Sequence, residues 1–396
     1  MKAWQFSENA YPYLPPEDEY ESIRVTLPNR YYDPQKGAAL YDRYLDEWCL
    51  ADEEGLEIML NEHHQTATCV DPAAPLVLAA LARLTKRARL LILGNPVANR
   101  RQPIRVAEEM ALIDILSKGR LECGFVRGVP YEITPANSNP VRMNERQWEA
   151  MDLIVKAWTR HDGPFSHEGR FFHHRNINIW PRPWQQPHPP VWISSTTPGG
   201  ARRVGERGWV QATFLTGVQG TSEIYQSYRR GWREAGRGDD VPVNRLAYAA
   251  LVYCAPSEAE ARSGAEKLLW YMTANKVAPQ FQYPPGYMPA AAQIAVMRGV
   301  ALDQHAANKG NATVDRAIQA GIMFAGTPDQ VYEQIKAFHE AVGGFGHLLI
   351  MGQAGFLEHE ETALGIKTFA REVYPRLRET FSDMAISRAG ETQVLA

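Results

Sequence analysis

The sequence predicts an α/β fold, a single (β/α)8 TIM barrel with insertions that extends over residues 1–396. Three observations predict it. Short apolar runs alternate with longer amphipathic segments, which is the pattern of a parallel sheet covered by helices. Eight such runs occur along the chain, and polar side chains suited to chemistry follow four of them. Hydrophobic residues make up 45% of the 396, enough to bury a large core.

The elements alternate regularly in the first half of the chain. Amphipathic spacing predicts helices over residues 38–53, 72–84, 104–116 and 143–159. The predicted strands, in chain order, are residues 2–6, 56–60, 89–93, 121–126, 191–195, 209–215, 246–254 and 347–351. Because helical segments rather than tight turns connect most of these strands, we expect the sheet to be parallel.

Two segments interrupt the alternation. Residues 163–190 are rich in proline and aromatic residues, and we expect a small surface hairpin there. Residues 256–326 contain helical stretches and a patch rich in proline and tyrosine at 280–289. We interpret them as an insertion between the seventh strand and the last helix. Because long insertions in compact domains are often lids, we expect this one to close over the site.

Charge and composition exclude several classes of protein. The formal net charge is −3 and both signs are mixed along the chain, so nothing indicates a nucleic-acid partner. The longest apolar runs, such as 72–84, are too short to span a membrane, and no signal peptide is visible. The cysteines lack CxxC spacing, which favours a reducing cytoplasm over a disulfide scaffold or zinc site; they are Cys49, Cys69, Cys123 and Cys254.

Polar groups follow four of the predicted strands at the point where each strand ends. In a parallel barrel the active site lies at these C-terminal ends. The groups are therefore expected to converge, although none is specific by itself. They are Glu62-His63-His64, Gly94-Asn95, Arg127-Gly128 and Ser194-Ser195-Thr196-Thr197.

The adjacent histidines His63 and His64 are candidates for proton transfer, because imidazole titrates near neutral pH. Adjacent residues in a strand point to opposite faces, so the two are not expected to bind one metal ion. The alternative is a hydrogen-bonded structural pair, and the spacing leaves both interpretations open.

Two of the strand ends suit an anion. Arg127 follows an apolar strand and precedes a glycine, where a guanidinium could bind a phosphate through two parallel hydrogen bonds or form an ordinary salt bridge. Residues 194–197 precede Pro198 and a predicted helix. Hydroxyl groups and free amides at a helix start form an anion site, although simple capping is the more frequent use.

Two other motifs carry less weight. The glycine spacing of residues 124–128 does not match a dinucleotide-binding fingerprint. The predicted hairpin contains His167, His173 and His174, which could suggest a metal. Because acidic partners are missing from the pattern, we expect no metal site there.

Six segments, in order along the chain, resemble the bacterial-luciferase-like family of flavin-dependent monooxygenases. The first resembles the Glu-His-His signature of the luciferase catalytic subunit, and the later ones its helix starts and its closing segment. Because the match extends over nearly the whole chain, it is specific. The segments are 61–64 (NEHH), 102–109 (QPIRVAEE), 112–121 (LIDILSKGRL), 124–128 (GFVRG), 325–331 (AGTPDQV) and 369–375 (FAREVYP).

The resemblance implies FMN at the top of the barrel, reduced by a separate NAD(P)H:flavin reductase and then reacting with O2. By the match, Arg127 with Gly128 and residues 194–196 would hold the FMN phosphate. Gly94-Asn95 would form the non-proline cis peptide beneath the flavin. His63 matches the catalytic histidine, with Glu62 and His64 as its neighbours. Family members pair through the helices after strands two and three, which implies a homodimer.

Three departures from luciferase argue against its long-aldehyde substrate. Val126 stands where luciferase has a reactive cysteine, Pro96 follows Asn95, and Ser194 replaces a glutamate.

The leading hypothesis is a two-component FMN-dependent monooxygenase that hydroxylates a small organic substrate or oxidises it in a Baeyer–Villiger reaction. The alternatives are a deazaflavin-dependent oxidoreductase that transfers hydride without O2, and a non-catalytic flavin-binding or partner subunit.

Overall fold

A closed parallel barrel of eight strands forms the centre of the molecule. The computed structural model describes residues 1–274, 277–288, 290, 294 and 312–381. Each barrel strand is hydrogen-bonded to the next, and the last pairs with the first through Lys2 opposite His347. The strands are β1 (Lys2–Ser7), β2 (Glu57–Leu60), β3 (Leu90–Pro96), β4 (Leu121–Val126), β7 (Val191–Ser194), β8 (Val210–Phe214), β9 (Leu246–Cys254) and β11 (His347–Gln353).

Helices surround the barrel and connect successive strands. Within the described ranges, none is both long and apolar enough to cross a membrane. The helices are α1 (Pro34–Glu53), α2 (Ala74–Leu84), α3 (Pro103–Leu116), α4 (Met143–Thr159), α5 (Pro198–Arg207), α6 (Gly217–Glu234), α7 (Glu258–Thr273), α8 (Pro279–Gln282), α9 (Val314–Gln319), α10 (Pro328–Ala341), α11 (His359–Thr368) and α12 (Tyr374–Thr380), with a π-helical turn at Phe369–Val373.

The predicted barrel is confirmed, and all eight predicted strands occur in it with bounds that differ by three residues at most. The largest difference among the first four helices is at α1, which begins at Pro34 rather than at residue 38. Asp33 is its N-cap and accepts hydrogen bonds from the backbone N–H groups of Gln35 and Lys36. A proline at the first helical position and an acidic cap explain the earlier start.

A ninth strand was not predicted from the sequence. β10 (Met323–Gly326) pairs in parallel with the second half of β9, with Met323 opposite Leu251. It lies at the end of the segment interpreted as an insertion, residues 256–326. A run of four small and apolar residues carries no period that separates strand from helix, which explains the omission. Most of residues 275–311, the centre of the predicted lid, lie outside the described residues.

Two short antiparallel strands lie in the segment where a hairpin is expected. They are β5 (Phe165–Glu168) and β6 (His173–Ile177), with His167 opposite His174. Glu149 of α4 accepts backbone hydrogen bonds from Phe171 and Phe172, which fixes the hairpin against that helix. The hairpin histidines therefore lie outside the barrel.

The bottom of the barrel interior is closed by aromatic side chains around one buried histidine. Trp4 donates its indole N–H to Nδ1 of His347 at 3.1 Å, and Nε2 of His347 donates to the carbonyl of Asn244 at 3.0 Å. The indole of Trp192 donates to Glu122. Burial lowers the pKa of His347 to about 3, so this histidine is neutral and acts as both donor and acceptor. The polar groups of this layer form hydrogen bonds with one another and close the barrel at this end. The barrel is open at the opposite end.

Candidate active site

A cavity of about 970 Å³ lies at the C-terminal ends of the barrel strands. This is the end where barrel enzymes carry their sites. The volume lies near the top of the range of about 300–1,000 Å³ that is typical of ligand pockets. The floor is the upper layer of the barrel interior and is formed by Phe6, Met59, Leu93, Ala249 and Leu349. The cavity can therefore hold a ligand of cofactor size on an apolar base.

One side of the cavity brings together the two predicted anion-binding groups. Arg127 and Gly128 follow β4, Ser194 ends β7, and Ser195 and Thr196 follow it; all of them line the cavity. Thr197 caps α5, because its Oγ1 accepts a hydrogen bond of 3.3 Å from the backbone N–H of Gly200. In the first turn of α5, Pro198 has no N–H, and the N–H groups of Gly200 and Ala201 donate to Thr197, so the Gly199 N–H is the amide left for a ligand. It lies next to a guanidinium and several hydroxyl groups, a set of donors suited to phosphate.

Arg203 is a second cation on this side and was not predicted from the sequence. It lines the cavity and lies over the ring of Trp148 at 4.2 Å. No carboxylate in the described part of the chain forms an ion pair with Arg203 or Arg127. Arg203 could have been predicted from the sequence. It is four residues after Gly199 at the start of the same helix, and residues four apart on a helix share a face.

Tyr287 covers Arg127. The guanidinium lies 3.8 Å from the centre of the Tyr287 ring, and the Tyr287 hydroxyl donates to the carbonyl of Gly128 at 3.0 Å. Arg127 also donates to the Tyr287 carbonyl at 3.4 Å. Tyr287 belongs to the described stretch 277–288, so part of the predicted lid contacts the anion side of the cavity directly.

The other side of the cavity carries a histidine held by a buried carboxylate. Nδ1 of His63 lies 3.0 Å from Oε1 of Glu132 and 3.2 Å from the hydroxyl of Tyr131. Glu132 is 1% exposed and also accepts the backbone N–H of His64 at 3.0 Å. Burial raises the pKa of Glu132, but the hydrogen bonds from His63 and His64 outweigh it and hold this pKa below its usual value. The carboxylate thereby fixes the His63 ring and leaves Nε2 without a partner among the described residues.

His64 belongs to a separate network. Its Nε2 lies 3.0 Å from Oε1 of Glu62, which also accepts a hydrogen bond from Arg100. The hydrogen bond to Glu62 raises the pKa of His64, and burial partly offsets it. Glu62 and His63 line the cavity, and His64 does not belong to its described lining. The three residues predicted as one catalytic group are therefore divided between two networks.

Two further charged residues in the cavity wall were missed. Glu8 directly follows β1, is 1% exposed, and accepts a hydrogen bond of 2.9 Å from Asn61. Burial raises the pKa of Glu8, and the nearby His63 partly offsets this. Arg24 is 2% exposed and reaches the cavity from the loop before α1. Glu8 could have been found, since it follows a strand end as the other candidates do; Arg24 has no such signal.

The predicted cis peptide is displaced by one residue. The non-proline cis bond joins Leu93 to Gly94, so its assignment to Gly94-Asn95 was wrong. β3 continues to Pro96, and its register against β4 shifts between Ile92 and Asn95, an irregularity that sequence spacing does not reveal. Gly94 lines the cavity, whereas Asn95 is fully buried behind it and accepts a hydrogen bond of 3.4 Å from Arg100. Asn95 therefore does not reach the cavity from this position.

The chain is similar in sequence to known proteins. The family model described as luciferase-like monooxygenase matches residues 26–343. One relative, the oxygenase component of a flavin-dependent trigonelline monooxygenase from Acinetobacter baylyi, is 30% identical over 244 residues. That match covers 60% of this chain and 66% of the relative, just under two thirds of its length.

The chain is also similar to a protein and to a solved structure that are both named as 3,6-diketocamphane monooxygenases. A 3,6-diketocamphane 1,6-monooxygenase from Pseudomonas putida is 22% identical over 361 residues, which cover 83% of this chain and 90% of that protein. A solved structure is described as the oxygenating constituent of 3,6-diketocamphane monooxygenase from the same organism, a type II Baeyer–Villiger monooxygenase in complex with FMN. It superposes with a TM-score of 0.70 at 20% identity and covers 95% of this chain and 98% of that one. At this identity the superposition supports the fold.

Proposed function

This chain belongs to the luciferase-like monooxygenase family, and we propose that it is the oxygenase of a two-component, FMN-dependent monooxygenase. Its reaction is the insertion of one oxygen atom from O2 into a small organic substrate, by hydroxylation or Baeyer–Villiger oxidation. A single observation carries the proposal. One cavity has phosphate-binding donors on one side and a carboxylate-held histidine on the other, above an apolar floor.

The residues present fit FMN. Two guanidinium groups, the hydroxyls of residues 194–196 and the Gly199 amide in the first turn of α5 form a set of donors for a dianionic phosphate. A Cβ at Gly199 would meet nothing within 4 Å, so space is open beside this turn. Arg127, Arg203 and residues 194–196 would hold the phosphate, and the apolar floor would lie beneath the ring system. When bound in reduced form, the flavin supplies the electrons that activate O2.

The chain's own residues supply a proton and exclude water. His63 is assigned to proton transfer, because Glu132 and Tyr131 hold its Nδ1 and Nε2 is left for the ligand. Glu132 is a positioning residue, since it acts through His63. Tyr287 closes the cavity over Arg127 and so reduces the access of water to the phosphate side.

The reduced flavin is proposed to come from a separate NAD(P)H:flavin reductase. The relative from Acinetobacter baylyi is named as an oxygenase component, which supports such a division of labour. The substrate and O2 would enter the same cavity.

The test is oxygen transfer by the isolated protein with chemically reduced FMN. The reaction is run under ¹⁸O2 with a panel of cyclic ketones and aromatic carboxylic acids, and products are analysed by mass spectrometry. The proposal predicts one ¹⁸O atom in the product and tight binding of reduced FMN. Absence of labelled product, together with hydride transfer from reduced deazaflavin, would replace this proposal with the deazaflavin alternative.

We also propose that two copies pair through α2 and α3. These helices expose several apolar side chains on the outside of the barrel, although both are packed on their inner faces. A second copy is the proposed occupant because family members associate through these helices. The exposed residues are Leu76, Leu84, Leu112, Ile115 and Leu116.

A further inference from the structure

Arg24 is a buried cation in the wall of the cavity. Its side chain is 2% exposed and lies 4.5 Å from the centre of the Tyr131 ring, and its Nη1 donates to the Tyr131 hydroxyl. A backbone bridge between Arg24 and Thr66 holds this part of the loop beside the end of β2. The guanidinium is thereby fixed next to the residue that also contacts His63.

The charge of Arg24 has no contact ion pair. Among the residues that the structure describes, Nε and Nη2 of Arg24 have no hydrogen-bond acceptor. The nearest acidic groups are engaged elsewhere: Glu132 accepts from His63 and from the backbone of His64, and Glu8 accepts from Asn61. Burial lowers the pKa of Arg24, but Tyr131, Tyr271, Glu8 and Glu132 outweigh it and hold this pKa above its usual value, so the charge itself is stabilised. What remains unsatisfied is hydrogen bonding at Nε and Nη2, and buried donors without acceptors are costly, so a ligand with acceptor oxygens is expected here.

The geometry of the two free nitrogens selects the kind of anion. The N–H of Nε and one N–H of Nη2 point in parallel along one edge of the guanidinium, and this edge matches the two oxygens of a carboxylate. Tyr131 occupies the other edge through Nη1. We propose that Arg24 binds the carboxylate of the substrate along its Nε–Nη2 edge, so that this enzyme acts on small carboxylic acids. The inference rests on the proposed function, because it assigns the substrate of that same site.

The neighbouring groups are compatible with a bound anion. Glu8 is held by hydrogen bonds to Asn61 and Tyr271 and forms no ion pair with Arg24 among the described residues, so it does not occupy the Nε–Nη2 edge. Tyr271 contributes a further hydroxyl to the same wall. The carboxylate would then lie on the side of the cavity that carries His63, away from the proposed phosphate donors.

The test compares carboxylates with neutral molecules of the same shape. Binding of benzoate and benzamide, and of hexanoate and hexanamide, is measured by calorimetry on the wild-type protein at pH 7.5, with and without oxidised FMN. We expect at least one of the acids to bind about 10- to 100-fold more tightly than its amide, as is usual for a bidentate charged contact. Arg24→Gln should lose this preference.

Arg30→Gln is the matched control. Arg30 lies in the same loop, stacks on Tyr31 at 4.7 Å and donates to its hydroxyl, but it is exposed and does not belong to the described lining of the cavity. This variant should retain the preference for acids. A wild-type protein that binds acids and amides equally, or a folded Arg24→Gln variant that keeps the preference, would overturn the proposal.

A crystal structure of the wild-type protein with benzoate decides the matter if Arg24→Gln does not fold. The expected position has both carboxylate oxygens within hydrogen-bond distance of Nε and Nη2 of Arg24, and any other position would overturn the proposal. Failure of the proposed function would look different. The protein would then fail to bind FMN or to transfer oxygen, while the preference for acids, which needs no turnover, would stand.

Discussion

Replacing Glu132 by glutamine tests whether the buried carboxylate makes His63 effective. Glutamine has the same shape and still accepts one hydrogen bond, but it removes the negative charge beside Nδ1 of His63. Glu132→Gln should therefore leave FMN affinity unchanged, because Glu132 contacts none of the proposed phosphate donors. It should lower the yield of oxygenated product per reduced flavin.

The magnitude follows from the contacts. Glu132 accepts two hydrogen bonds of 3.0 Å, one from His63 and one from the backbone of His64. A hydrogen bond to a charged group contributes about 1.5–3 kcal/mol and a neutral one about 0.5–1.5 kcal/mol. The change on the His63 bond is thus about 1–1.5 kcal/mol, or about 5- to 10-fold in product formation, since about 1.4 kcal/mol corresponds to tenfold.

Stability gives a second readout with a defined sign. The folded-state pKa of Glu132 is lowered, so its contribution to stability is present above its unfolded pKa and is lost as pH falls through the folded value. The difference in the free energy of unfolding between wild type and Glu132→Gln should be present at pH 7 and shrink below about pH 4.5.

Glu62→Gln is the matched control, because Glu62 is equally buried but contacts His64 and Arg100. The assay measures product and hydrogen peroxide per flavin oxidised, together with FMN affinity. If Glu62→Gln reduced product more than Glu132→Gln did, proton transfer would belong to His64 and the assignment of His63 would be wrong.

Three further predictions concern other parts of the molecule. His63→Ala should keep FMN affinity, lose product by about 10²–10⁴-fold and release hydrogen peroxide instead; a variant with unchanged product yield in stopped-flow and peroxide assays would exclude His63. His347 has a lowered folded-state pKa of about 3, so the protein should lose stability as pH falls from about 6.5 towards 3, and His347→Gln should flatten that part of a melting-temperature profile. Leu112→Glu should convert a homodimer to a monomer in sedimentation velocity, whereas an unchanged mass would place the interface elsewhere or show that the protein does not dimerise through α3.

The barrel could be predicted from the sequence because its strands are short apolar runs that alternate with recognisable helices. The phosphate-binding side of the cavity could be predicted for the same reason. Arg127 and Ser194 lie at strand ends, and parallel strands bring those ends together. β10 could not be predicted, because four apolar residues without a period are compatible with several structures.

The side of the cavity that carries His63 was only partly predictable, because the residues that contact His63 are distant from it in sequence. Glu132 lies 69 residues from His63 and belongs to a short turn after β4, so no spacing connects the two. Arg24 reaches the cavity from a loop without periodicity, 107 residues from the Tyr131 hydroxyl that it contacts. Such contacts depend on how loops pack over the barrel, and local patterns do not encode that packing.

The most direct test of the central claim is a comparison of FMN with riboflavin, which differ only in the phosphate. Dissociation constants of both are measured for wild type, Arg127→Gln and Arg203→Gln. The proposed site predicts that each variant loses about 1.5–3 kcal/mol of FMN binding, or about 10- to 150-fold, while riboflavin affinity barely changes. Unchanged FMN affinity in both variants, or equal losses for FMN and riboflavin, would contradict the assignment of this side of the cavity to the phosphate.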